Sequence, residues 1–387
     1  MFKVVVAHSN DPDSPSAIQE VIDQCLGDLE GVQPQAGLLL AALDFDHTLL
    51  LARLHETFPD LQLIGGTTDG EMSSVLGFEE DSITLMLFCS DTVQIRAGVG
   101  LGVSQDVAAA TQAAVDQAVD QAVGDLPFDP KLCITVPDGL TVSGVAAIAG
   151  LKQALGPEVA IVGGTSGDQW NFRQTYQFFG DQVLSDAIVI LLFSGDLKFS
   201  HGVSSGWYPM SRKAVVTKAK GALVYEIDDR PAVEFYDHYL NGLTVSGEYP
   251  LAVFDQASDE FYLRASNAWD REQGTILFMG DVPEGATVQI THTTCDDIIA
   301  ATKTSIEKAR SHYPGEQPAA IFLFSCAARR RLLGTRTCEE YELGQQSIGE
   351  DIPTIGFYTY GEISPLAPGG EAFYHQETLV TLLLGVE

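Results

Sequence analysis

The chain repeats itself at long intervals, and such a period constrains its fold more than any local pattern does. The segment Ile64-Gly65-Gly66-Thr67-Thr68-Asp69-Gly70-Glu71 returns as Ile355-Gly356-Phe357-Tyr358-Thr359-Tyr360-Gly361-Glu362. A looser version reads Val162-Gly163-Gly164-Thr165-Ser166-Gly167-Asp168. The spacing is about one hundred residues from first to second, and roughly twice that from second to third. This period is too long for an ordinary solenoid.

The stretches around the loops repeat as well. Each copy opens on a strand-like run: Phe2–Ala7, Thr92–Ala97 and Thr287–Thr291. An amphipathic stretch follows: Ser16–Leu29, Gln105–Val123 and Asp296–Ser311. A second apolar run comes next (Gly37–Leu43, Lys131–Val136, Ala319–Phe324), and a last one closes the unit (Ser82–Cys89, Ala187–Phe193, Thr378–Leu384). Short β-branched and aliphatic runs alternating with helical periods read as α/β architecture. Their near-continuous apolarity points to sheets covered on both faces. The expected fold is therefore α/β: two modules built from about three pseudo-repeated βαβαββ-like units plus one divergent unit, with mixed sheets covered by helices. The first module spans 1–196, with repeats 1–90 and 91–196. The second spans 197–387, with a divergent unit or insertion at 197–285 and the third repeat at 286–387. Within the divergent part, Val224–Val233 reads as strand, turn and helix start, with Pro231 suited to a first helical turn. Val233, Tyr236 and Leu240 share one helical face. Phe261–Ala265 and Thr275–Met279 read as strands.

Composition narrows function. A formal charge of −32 repels phosphate backbones, which excludes nucleic acid as an expected partner. The one basic cluster is Arg329-Arg330-Arg331, with Arg336 behind it. The chain shows no apolar run of membrane-spanning length and no secretory leader, so membrane insertion is not expected. The six cysteines lack paired spacing, which argues against structural zinc or a disulfide framework and for a reducing cytoplasm.

A glycine pair after a buried strand lets backbone approach a ligand or another strand. Ligands gather beyond the carboxyl ends of strands in such sheets. The candidate ligand-binding set is Gly65, Gly66, Thr67, Thr68, Glu71, Gly163, Gly164, Thr165, Ser166, Cys326, Arg329, Thr359, Gly361 and Glu362. The hydroxyls each donate and accept. Glu71 and Glu362, at matching offsets, either receive a ligand ammonium or hold a backbone N–H or an arginine. Arg329 with Glu362 would clamp the two ends of an amino acid, unless Arg329 pairs with Glu362 or Glu339 and ties loops together. The loops lack the Lys-Ser/Thr of a phosphate cradle. Asp44-Phe45-Asp46-His47 is either a metal cluster or a helix cap. No nucleophile elbow or His-Glu-x-x-His is present. A non-enzymatic sensor is therefore expected, with an enzyme acting on a small amino or carboxylic acid through Glu362, Arg329 and Cys326 as the alternative.

These residues reach a known family. The Gly-Gly-Thr loops, the Tyr225–Tyr239 segment with its Ile-Asp-x-x-Pro-Ala core, Ser325-Cys326-Ala327-Ala328-Arg329 and the Ile355–Ile363 motif resemble the FIST family over nearly the whole chain. Phe373-Tyr374-His375-Gln376 departs from the family's Phe-His-Asn-like turn. The resemblance implies FIST N and FIST C modules in a bacterial sensory protein. It implies a small-molecule ligand, either a small amino acid or haem b sensing nitric oxide. It also implies a signalling partner such as a histidine kinase or cyclic-dinucleotide enzyme, and is compatible with a homo-oligomer. On the haem reading, His201 is the first candidate axial ligand and His375 the second, with His8 and His292 also following strands. Covalent attachment is not expected, since Cys-x-x-Cys-His is absent.

Overall fold

The computed structural model describes residues 1–120, 128–243, 247–254, 260–349 and 352–387. Repeat one contains β1 (Phe2–Ser9), α1 (Ser14–Leu29), β2 (Ala36–Ala41), α2 (His47–Thr57), β3 (Gln62–Thr67), β4 (Glu71–Ser73), β5 (Gly77–Glu79) and β6 (Ile83–Ser90). Repeat two follows the same plan with β7 (Val93–Leu101), α3 (Val107–Val119), β8 (Pro130–Pro137), α4 (Gly144–Leu155), β9 (Ala160–Gly164), β10 (Gln177–Phe179), β11 (Gln182–Leu184) and β12 (Ala187–Gly195). In each, the opening strand pairs antiparallel with the closing strand. The closing strand pairs antiparallel with the second, and the second runs parallel to the loop-bearing third.

Repeat three begins earlier than its sequence suggests. Its opening strand is β13 (Lys198–Ser204), which pairs with the last strand of the chain. An insertion follows at about 205–294. It holds β14 (Tyr208–Pro209), β15 (Ala214–Lys220), β16 (Leu223–Ile227), β17 (Arg230–Pro231), α5 (Ala232–Leu240), β18 (Leu251–Phe254), β19 (Phe261–Arg264), β20 (Ser266–Asp270), β21 (Thr275–Phe278) and β22 (Thr287–His292). The repeat then resumes with α6 (Cys295–His312), β23 (Ala320–Cys326), α7 (Ala327–Leu333), α8 (Thr337–Ile348), β24 (Thr354–Thr359), β25 (Glu362–Pro365), β26 (Ala372–His375) and β27 (Leu379–Gly385). The Thr287–Thr291 run is thus not the first strand of a repeat. As β22 it pairs with β14, β15 and β18 inside the insertion's own nine-stranded sheet. An opening strand and a strand of an inserted domain share one alternating pattern, and only the pairing separates them. The boundaries 197–285 and 286–387 therefore shift to an insertion at about 205–294 inside a third repeat. The two ends of the insertion touch, because Thr293 Oγ1 donates to the Gly206 carbonyl at 2.7 Å.

The repeats interlock by exchanging hairpins in a closed cycle. Hairpin β4–β5 of repeat one extends the sheet of repeat three, with Ser73 opposite Ile355. Hairpin β25–β26 of repeat three extends repeat two through β9. Hairpin β10–β11 of repeat two extends repeat one through β3. Three six-stranded mixed sheets result.

Their inner faces share one core. Phe88 packs edge-on to Phe193 at 5.6 Å and stacks with Phe322 at 6.1 Å, so one ring joins all three sheets. Burying each such ring contributes on the order of 2 kcal/mol. Helices cover the outer faces: α1 and α2 on the first sheet, α3 and α4 on the second, α6 and α8 on the third. Double coverage is why these strands read as unbroken apolar runs. The amphipathic stretches become α1, α3 and α6, capped by Asp13, Asp106 and Thr294 respectively. The tail of the second stretch, from residue 121 to Val123, lies outside the described residues. In the insertion, Val233, Tyr236 and Leu240 are buried on α5 as their spacing implies.

Candidate functional site

The three repeated loops meet. Asp69 N–H donates to the Tyr358 carbonyl, Tyr358 N–H to Gly70, Gly167 N–H to Thr67, and Thr165 N–H to Gly361. Two close approaches require glycine. A Cβ on Gly65 would sit 1.8 Å from the Leu39 carbonyl oxygen, and one on Gly163 would sit 2.1 Å from that of Thr135. Gly66 and Gly164 face Tyr176 and Thr359, where a Cβ would come within 2.9 Å of the facing oxygen.

Most of the expected ligand-gripping groups are consumed inside this junction. Thr67 Oγ1 accepts from Tyr176 N–H at 3.0 Å. Thr68 Oγ1 donates to Glu71, whose other oxygen accepts from Ser82 Oγ at 2.6 Å. Burial pushes the Glu71 carboxyl up to about 8. Ser166 Oγ donates to Pro137 O and accepts from Gln177. Thr359 Oγ1 donates to Thr165 O at 2.6 Å. Gly361 packs under the Tyr374 ring, 2.1 Å from its hydroxyl if a Cβ is added. Asp168, which ends the second loop, accepts from the backbone N–H groups of Phe172, Arg173 and Gln174 and from Tyr360 Oη. These residues hold the repeats to one another.

Arg329 does not clamp a ligand with Glu362. It is fully buried and donates to Glu340, to the carbonyls of Ser205 and Ile298, and to Thr302. Glu340 also accepts from Tyr358 Oη. The tying role holds, but with Glu340 rather than Glu362 or Glu339. Its neighbour Arg330 binds Asp69 at 3.0 Å and Glu80. At the other suspected cluster, Asp46 caps α2 through Leu49 N–H, and His47 Nε2 donates to Ala42 O. Among the described residues, no group of three or more metal-ligating side chains is arranged for a metal.

Two carboxyls of the third repeat are among the buried groups that keep unpartnered oxygens among the described residues. Glu362 occupies in repeat three the place of Glu71 in repeat one. Its Oε2 accepts from Thr378 N–H at 3.1 Å and Thr378 Oγ1 at 2.6 Å. Its Oε1 has no partner among the described residues, because Thr359, the counterpart of Thr68, donates elsewhere. Beside it, Glu377 is 0% exposed, stands at φ 60°, and has no hydrogen bond to either oxygen among the described residues. Burial pushes Glu377 up to about 8 and Glu362 well above the carboxylate range. Cys326 lies within reach of both charges, and burial together with them drives its thiol well above its usual range. That environment suppresses a thiolate nucleophile.

His375 and Thr378, which flank Glu377, line a cleft of about 330 Å3 between the three-sheet body and the insertion. Its other walls include Ser204, Trp207, Tyr208, Phe261 and Lys308. Lys308 Nζ reaches Val203 O at 2.9 Å. Sequence reasoning missed Glu377, Lys308 and Trp207. Only the insertion's fold brings Trp207 against the third repeat, and nothing periodic marks the other two.

His8, His201 and His375 are interior, whereas His292 is exposed. His375 is 0% exposed and Nε2 donates to Ser364 O at 2.9 Å, leaving Nδ1 without a partner among the described residues. His201 is 6% exposed and borders a separate cavity of about 310 Å3 with Glu158, Phe199 and His312. His8 is held between Ser73 and Ser82. His292 ends β22 in the insertion. A haem needs a deep apolar slot with an accessible imidazole nitrogen. His201 and His375 do not fit it, since each is packed into the wall of a small cleft.

Fold and site together define a three-repeat α/β protein with an inserted β domain and a small cleft at their junction. A family model described as the FIST N domain matches residues 35–230, and one described as the FIST C domain matches residues 232–365. The chain belongs to the FIST family, whose domains are sensory domains of signal transduction. An uncharacterised protein of Methanocaldococcus jannaschii is 28% identical over 236 residues, covering 53% of this chain and 45% of its own length. One of Mycobacterium bovis is 27% identical over 224 residues, covering 54% and 57%. The chain thus spans about half the length of these relatives. One of Aquifex aeolicus is 35% identical over 114 residues, covering 29% and 41%. Among solved structures, cyanuric acid hydrolase from A. caulinodans aligns over 100% of this chain and 99% of its own at 10% identity, with a TM-score of 0.39. That value is too low to bear on fold or function. Among the described residues, no helix is long and apolar enough to cross a membrane.

Proposed function

We propose that this protein is a cytoplasmic, non-enzymatic sensor that binds a small amino acid in the cleft between the three-sheet body and the insertion. The observation that carries this reading is Glu377, a buried carboxyl behind the wall residues His375 and Thr378, with no hydrogen bond among the described residues and in a backbone conformation that costs free energy. A buried polar group left unpaired costs roughly 1–3 kcal/mol, and a ligand ammonium removes that cost. Lys308, on the cleft wall, is the group of opposite sign for a ligand carboxylate. This replaces the Arg329–Glu362 clamp with a Lys308–Glu377 one. The wall joins two bodies, so occupancy shifts their packing by the ligand's differential affinity for the two arrangements. That shift is what a partner such as a histidine kinase or cyclic-dinucleotide enzyme would read.

The test is titration calorimetry of the purified chain against the twenty amino acids, repeated with Glu377→Gln and Lys308→Ala. At least one amino acid is expected to bind, and each substitution to weaken it about tenfold or more while the chain stays folded. Absence of binding by any of them, or binding indifferent to both substitutions, overturns the reading.

A further inference from the structure

Behind the His375 and Thr378 wall of the cleft lies unmet bonding capacity, and it can be counted. Three carboxyl oxygens lack a partner among the described residues: Glu362 Oε1, Glu377 Oε1 and Glu377 Oε2. The two side chains are neighbours by construction, since the N–H that Thr378 gives to Glu362 belongs to the peptide bond leaving Glu377. Gly247 packs against Glu377, and a Cβ added there would lie 3.1 Å from Glu377 Oε1.

The charges facing the pair come from each packed element. Arg329 on α7 is matched by Glu340 on α8. Arg264 on β19 is buried, donates to the carbonyls of Asp281, Leu263 and Tyr374, and feels the Asp281 charge. Cys326 on β23 stays a neutral thiol. His375 on β26 is held neutral, pushed down to about 4 chiefly by burial. Arg329, the cation that acts on both glutamates, is thus already matched, and three carboxyl oxygens are left empty among the described residues.

We infer that Glu362 and Glu377 form a subsite selective for a primary ammonium group, which rests on the cleft being the ligand site. An –NH3+ carries three N–H donors on one positive charge, and so matches the three empty acceptors. Each N-methyl group removes a donor and leaves a buried oxygen unmet, while adding bulk beneath Gly247. A guanidinium brings five donors in a rigid plane, more than this pair can accept. Without a cation the carboxyls hold protons, since burial keeps Glu377 near 8, so the ammonium binds as protons leave and affinity rises with pH.

The experiment is calorimetry at constant ionic strength and pH 8 with methylammonium, dimethylammonium, trimethylammonium and tetramethylammonium chlorides, on the full chain and on Glu377→Gln. Methylammonium is expected to bind and tetramethylammonium to bind at least about tenfold more weakly, with methylammonium affinity lost in E377Q. Glu362→Gln serves as a second variant should E377Q not fold. Equal binding across the series overturns the inference, since it reports only general attraction to an acidic chain. So does methylammonium binding that survives both substitutions. If methylammonium binds selectively while no amino acid does, the subsite stands and the wider ligand assignment falls. If an amino acid binds as tightly as its N,N,N-trimethyl derivative, the cleft stands and the subsite falls.

Discussion

Glu377 and Glu71 carry the same chemical group into the interior with opposite outcomes. Glu71 is met by Thr68 and Ser82, whereas Glu377 is met by nothing among the described residues. Both are lifted by burial to about 8, so the folded chain keeps protons there that the unfolded chain has released. Their contribution to stability is whole below the ordinary carboxyl range and is lost as pH rises through about 8. His8, His201 and His375, all pushed down to about 4 by burial, act in the other sense. They make the fold gain stability as pH rises from about 4 toward 6.5, and add nothing above. Between about pH 6.5 and 8 the carboxyl effect stands alone. The unliganded protein is expected to lose stability there, on the order of 1 kcal/mol per pH unit for each such group. Denaturant melts at pH 6.5, 7.25 and 8 check this. E377Q should flatten the slope, and a stability that rises over this range would contradict the burial of these carboxyls. The sequence pointed to Glu71 and Glu362 through their shared offset from a glycine. It held no sign of Glu377, whose importance comes from the partners it lacks.

At the scale of elements, the glycine-bearing strands mattered more as joints than as ligand loops. Gly65 and Gly163 let a parallel neighbour's carbonyl approach where a side chain would collide with backbone. Gly65→Ala is therefore expected to cost about 3 kcal/mol or more, enough to unfold a marginal domain. Gly27→Ala is the control: it lies inside α1 with nothing within 4 Å of an added Cβ, so a gain of up to about 1 kcal/mol is expected. Thermal melts of the two variants check the contrast, and a tolerated Gly65→Ala would mean that the β2–β3 pairing is looser than its close approach implies. Capped amphipathic helices and apolar strands were legible because their signals are local. The hairpin exchange was not. Strands β4, β10 and β25 are three or four residues long, and all three sheets offer a similar glycine-bearing strand as partner. No local pattern says that Ser73 belongs opposite Ile355.

For the whole molecule, the closed exchange makes the three repeats one folding unit, while the insertion stands outside the cycle. The α/β class and the repeat count were readable from the loops. The insertion's limits were not, because it separates β13 from α6 and offers β22 as a plausible substitute opening strand. Its two ends nevertheless meet, with Thr293 hydrogen-bonded to Gly206 and an added Cβ on Gly206 lying 2.6 Å from Asp297 O. Joining Gly206 directly to Thr293 therefore requires little movement of β13 or α6. Such an excision removes Trp207, Tyr208 and Phe261 from the cleft and uncovers Ile298 and Leu333, which the insertion packs against. It leaves the central core around Phe88, Phe193 and Phe322 intact. The shortened chain is expected to fold cooperatively with a lower melting temperature and no ligand binding. A chain ending at residue 196 loses the β24 partner of β4 and the β25–β26 hairpin of the second sheet, and is expected not to fold. Circular dichroism melts of the two truncations separate the cases. A folded 1–196 fragment would show that each sheet is stable without its borrowed hairpin, and an unfolded excision variant would place the insertion inside the folding unit rather than upon it.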